Sequence, residues 1–184
     1  MIRTYFHGTS ADNLNSILEN GLSASEIKLW NCSQDAVYLW EVERVAESNG
    51  HEEEEEEYKI QMAFKNAAES GQLACAASKD CRVVVLRIEL DDQEVEIDNS
   101  CENMDYANCI YRDVTIDEIK EIHVSNDLSL LKGYFIGCLL SNDYCDLEFT
   151  DIERRVGEAM AQNIYLEHVT DMIEFEQLQL SEIV

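Results

Sequence analysis

The sequence predicts an α+β domain with a helical C-terminal portion, on three observations. Short apolar, β-prone runs fall in the first two thirds of the chain, at residues 2–6, 36–40 and 81–90. Beyond Ser125 the pattern changes to apolar residues at helical spacing with acidic faces between them. At 184 residues and 46% hydrophobic, the chain has the length of one domain and enough apolar mass to build its core. We therefore expect an α+β core over residues 1–125. Helices over 126–184 would pack on that core or be presented to a partner.

The elements follow in order. Residues 2–6 read as a strand. Leu14, Ile17, Leu18 and Leu22 recur at helical spacing, with Thr9 or Ser10 as the cap and Asn20-Gly21 as the stop. A polar loop containing Trp30 leads to the aromatic strand Ala36-Val37-Tyr38-Leu39-Trp40, and 41–48 give a helical turn or two. Six consecutive glutamates, Glu52 to Glu57, come next. Like charges repel, but glutamate forms helices well and suits a helix N-terminus. The run is therefore placed at the acidic start of a helix that ends near Gly71. Residues 81–90 make the clearest strand, with a continuous apolar first half suited to the middle of a sheet. Shorter strands are expected at 94–97, 109–111 and 122–124. Helical spacing then covers 128–140, 147–161 and 164–180, with a break at Ser141-Asn142-Asp143.

Charge bounds the function. The chain carries 39 acidic and 13 basic residues, a formal charge of −26. Such a surface repels nucleic-acid phosphates and favours a basic protein partner, or it simply keeps the chain in solution. A third reading is an acidic face that mimics nucleic acid. The seven cysteines are irregularly spaced with no Cys-x-x-Cys pair, so no zinc site is expected. Free thiols, no secretion-signal pattern after Met1 and no long apolar run together predict a cytoplasmic protein without a membrane span. With no proline in the chain, turns fall to Gly, Asn, Asp and Ser.

The stretch Tyr5-Phe6-His7-Gly8-Thr9-Ser10 stands out chemically. An apolar strand runs into a histidine and a glycine beside a helix start, a corner where exposed backbone can meet a polar ligand. Phe6-His7-Gly8-Thr9, then Ile17 and Gly21-Leu22, resembles the first motif of the ADP-ribosyltransferase superfamily. Val37-Tyr38-Leu39 with Ala46 is similar to its second motif, and residues 83–92 and 114–122 to its later strands. The resemblance spans residues 4–124. It implies a split central β-sheet with flanking helices, and NAD as the bound substrate. In that family the histidine holds the ribose beside nicotinamide, the glycine backbone grips the carboxamide and the tyrosine stacks on the ring. Mapped here these are His7, Gly8 and Tyr38, with Thr9 beside them.

The family's third motif is a glutamate on a strand before the segment matched by 114–122. Asn108 stands at the best-aligned position, with Glu102 and Asp105 close by if the register shifts. Two expectations follow. With a carboxylate in place, the chain transfers ADP-ribose from NAD to a macromolecule, here a basic protein. With Asn108 in place, it is a degenerate module that binds without turnover and works through its acidic surface. Arg3 and Arg112 are the candidate phosphate contacts. Cys32 and Cys109 lack the basic surroundings that would make a thiol nucleophilic. The remaining histidines, His51, His123 and His168, read as exposed, strand and surface residues.

Overall fold

The computed structural model describes residues 1–25, 29–30, 33–51, 53–98, 107–142 and 145–179. Among them, seven strands form one antiparallel sheet and six α-helices accompany it. The strands are β1 (Ile2–Ser10), β2 (Val37–Glu41), β3 (Val83–Asp91), β4 (Glu96–Ile97), β5 (Ala107–Ile110), β6 (Ile119–Ser125) and β7 (Phe175–Leu178). Their order across the sheet is β4-β5-β2-β1-β3-β6-β7, which puts β1 at the centre. The helices are α1 (Leu14–Asn20), α2 (Val42–Ser48), α3 (Glu56–Ala74), α4 (Lys132–Leu140), α5 (Asp151–Ala161) and α6 (Leu166–Thr170).

Successive strand residues point to opposite faces, and the sheet buries both of them. Phe6, Val83 and Val85 join α2, α3 and α4 in one apolar cluster. Tyr5, Val37, Leu39, Val84, Leu86 and Ile88 join Ile17 of α1 in the other. This explains why β3 reads as a continuous apolar run. Val83, Val84, Val85 and Leu86 have no exposed surface at all.

The α3 face depends on small side chains. Of the five buried positions of α3, four are small, Ala63, Ala67, Ala68 and Gly71, the fifth being Gln72, so the helix lies almost on the β1 backbone. A Cβ on Gly8 would stand 1.7 Å from the Ala67 carbonyl oxygen, and one on Gly71 would stand 2.6 Å from Val83 Cγ1. The acidic start of α3 is as expected, with Glu55 at the cap and Glu56 and Glu57 in the first turn. Glu52 lies outside the described residues. Gly71 does not end the helix, which continues to Ala74; its lack of a side chain serves the close approach to Thr9 and Val83 instead.

Three other expectations are corrected. First, β1 does not stop at Phe6. All nine of its residues pair with β3, from Ile2↔Asp91 to Ser10↔Val83, and this long partner carries the strand through His7, Gly8 and Thr9. Second, neither Thr9 nor Ser10 caps α1, which follows a single 3₁₀ turn at Ala11–Asn13. The Thr9 hydroxyl instead accepts a hydrogen bond from the Asn13 amide at 2.9 Å. Third, the C-terminal portion is not wholly helical. Residues 175–178 form β7, which pairs with β6 and anchors Phe175 against Phe64 at 5.0 Å between ring centres. Helix α5 begins at Asp151, later than its apolar pattern, because Thr150 and Glu153 close a capping box there.

Candidate functional site

The two halves of the sheet meet at a short seam. β1 and β2 share two residue pairs, Tyr5↔Glu41 and Phe6↔Trp40. Beyond them β1 follows β3, while β2 stays with β5 through four pairs, Val37↔Ile110 to Trp40↔Ala107. The sheet therefore opens between β1 and β2 at His7 and Tyr38.

The His7 imidazole bridges this opening. Its Nδ1 lies 2.8 Å from the Tyr38 carbonyl oxygen. A carbonyl only accepts, so Nδ1 carries the proton. Burial holds the His7 pKa below its usual value, against a smaller opposing effect of the Tyr38 carbonyl. The ring is thus neutral at pH 7, and Nε2 keeps a lone pair for a hydroxyl or amide donor. The Tyr38 ring is fixed from the other end, where its hydroxyl accepts from the Gln34 backbone N–H at 2.7 Å.

Pleating sends the two side chains to different faces. His7 shares its face with Tyr5, in the α1 cluster, and Tyr38 shares its face with Trp40, which packs on the α3 side. A ligand touching both rings must lie in the opening itself. The absence of a Cβ at Gly8 serves the approach of α3 rather than leaving a vacant notch.

The other sequence candidates are spread out. Asn108 pairs with Leu39 across β2 and β5, is 3% exposed, and has no hydrogen-bond partner for its side-chain oxygen. It lines a cavity with Arg3, Tyr5 and Glu41, and neither His7 nor Tyr38 reaches that cavity. Glu102 and Asp105 lie outside the described residues, as does Cys32.

Both candidate phosphate contacts are engaged by carboxylates. Arg3 pairs with Glu41 and stands 3.2 Å from Asp92. Arg112 binds Glu94 at 2.6 Å and Glu118 at 2.8 Å, and these bonds raise its pKa. With acids outnumbering bases threefold, carboxylates are the nearest anions to both. Cys109 is buried and its thiol pushed up by desolvation, the reverse of an activated nucleophile.

The sequence reading missed two groupings. Glu41 is a buried acid, 5% exposed, whose partner Arg3 lies on a neighbouring strand. On the α3 face, Glu121 accepts from Arg87 at 2.6 Å and contacts His123 Nε2 at 3.0 Å, with the His123 ring edge-on to Phe64. The strand registers Arg87↔Glu121 and Val85↔His123 bring them together, and no local sequence pattern carries that information.

Protonation of His7 is a measurable cost. The unfolded chain takes up a proton near pH 6.5, whereas the folded chain resists it to a lower pH. Stability contributed by neutral His7 is therefore complete above about pH 6.5 and is lost as pH falls below it. The melting temperature of His7→Gln, scanned from about pH 8 to pH 5.5, should show a shallower acid-side decline than the parent. Parallel curves would show that His7 titrates normally.

No family model, curated protein or solved structure matches this chain. Among the described residues, no helix is long and apolar enough to cross a membrane.

Proposed function

We propose that the chain is an ADP-ribosyltransferase-type module that binds the nicotinamide end of NAD between β1 and β2 and does not turn it over. The observation that carries this reading is the parting of β1 from β2 after two residue pairs, with neutral His7 bridging to the Tyr38 carbonyl. His7 Nε2 would accept from a ribose hydroxyl. The edge of β1 beyond Phe6, unpaired with β2, offers backbone groups to the carboxamide, and Tyr38 supplies the aromatic wall. The absence of turnover follows from Asn108, which brings no negative charge to an oxocarbenium-like sugar and faces a separate cavity. The acidic surface would then act on a basic protein, with NAD as the regulating ligand.

A second reading, transfer of ADP-ribose to that protein, requires a carboxylate beside His7 and Tyr38, and Glu41 does not supply it, being paired with Arg3 and lining the separate cavity. One assay separates the two. NAD at about a hundred times its Kd should raise the melting temperature by about 5–10 °C, without nicotinamide release above the blank. His7→Ala should abolish that shift. Nicotinamide release that disappears in His7→Ala would establish the transferase instead. An unchanged melting temperature at millimolar NAD would overturn both.

A further inference from the structure

We propose that the cavity between the starts of β1 and β4 is a binding site for a neutral monosaccharide of hexose size, separate from the nicotinamide site. It is a half-open cleft of about 170 Å³, lined by Arg3, Tyr5, Glu41, Arg44, Asp92 and Asn108. Three observations specify the ligand.

The first is charge. Arg3 pairs with Glu41 and Asp92, and Arg44 Nε stands 3.7 Å from Glu41, so among the described residues two guanidiniums face two carboxylates. Nearby, the Met1 ammonium and Asp91 add one charge of each sign. A net ionic ligand would add an unbalanced charge beside the buried Glu41 and Asn108, and a neutral one adds none.

The second is the unspent acceptor. Asn108 is 3% exposed and its Oδ1 has no partner, a desolvation cost that an incoming O–H donor relieves. Tyr5 stands beside it with its hydroxyl pKa pushed up to about 12, chiefly by burial and further by Glu41, so it is a protonated donor at any physiological pH.

The third is size. At about 170 Å³ the cleft holds several waters and has the dimensions of a small polar ligand. A hexose carries a comparable number of oxygens, each able to replace one water against the arginine donors and carboxylate acceptors.

The test is saturation-transfer NMR on the full chain with D-glucose, D-galactose and D-mannose. Transfer to at least one hexose is expected. Asn108→Leu should weaken that binding about tenfold. Because Asn108 is buried, a second variant guards against misfolding: Ile97→Trp, at a cavity-lining position that is 44% exposed, should close the space and abolish transfer. The proposal is overturned if no hexose receives magnetisation, if Ile97→Trp leaves transfer unchanged, or if glycine responds and the hexoses do not. His7→Ala should keep the hexose signal, and Ile97→Trp should keep any NAD shift, so failure at either site is read independently.

Discussion

Gly8→Ala should cost about 4 kcal/mol or more, lowering the melting temperature by roughly 8–16 °C. A methyl group at this position would lie 1.7 Å from the Ala67 carbonyl oxygen, 2.6 Å from its carbon and 2.9 Å from Gly71 N. All three are backbone atoms of α3, so no rotamer change relieves the overlap. Either α3 lifts from the sheet or β1 bends away from β3, and β1 is held by pairing along its whole length. Lifting α3 would unpack Phe64 from Phe6, His123 and Phe175 at once. A thermal melt followed by circular dichroism measures the loss. A change within about 1 kcal/mol would mean that α3 stands far enough from β1 to admit a methyl group.

Gly137→Val should act on a different part of the molecule. Helices α4 and α5 touch through Gly133, Gly137 and Gly157. A Cβ on Gly137 would meet the Gly157 carbonyl oxygen at 2.2 Å and the Ala161 methyl at 2.6 Å. Overpacking a backbone-to-backbone contact costs about 3 kcal/mol, and the few tenths of a kcal/mol of helix propensity gained on replacing glycine offset little of it. Helix α5 exposes most of its residues, with Gly157 its one fully buried position, so it should detach while the sheet stays folded. Hydrogen exchange should report faster exchange in Asp151–Ala161, with β1 and β3 still protected. Uniform acceleration across the chain would instead show that α5 unfolds only with the whole domain.

These two glycines mark what could be read from the sequence and what could not. The strand core of β3, the short β2 and the acidic start of α3 were legible because each is stated locally, by apolar run length, aromatic content or charge at a helix end. The contact of the His7 ring with the Tyr38 carbonyl joins two segments that the sequence singled out. Its geometry was not legible, because the parting of β1 from β2 depends on which neighbour each strand keeps. Gly8 suggested a strand end for the same reason. Glycine and Thr-Ser favour turns locally, and only the nine-residue β3 partner overrides that preference. In β7, Phe175 and Leu178 are three residues apart, a spacing that suits a helix, and pairing with β6 decides otherwise. Glu41 gave no sign of burial, because the partner that makes it tolerable is 38 positions earlier.

The strand at Phe175–Leu178 has a consequence for synthesis. Its hydrogen-bonding partner, Ile119–Ser125, leaves the ribosome some fifty residues earlier, about 3–10 s at ordinary elongation rates. Through that interval the older strand carries an unpaired margin, open to any other extended chain. Nascent copies on one polysome should therefore cross-associate more readily than finished ones, and the acidic character of every copy, repelling its neighbours, is a fitting safeguard for those seconds.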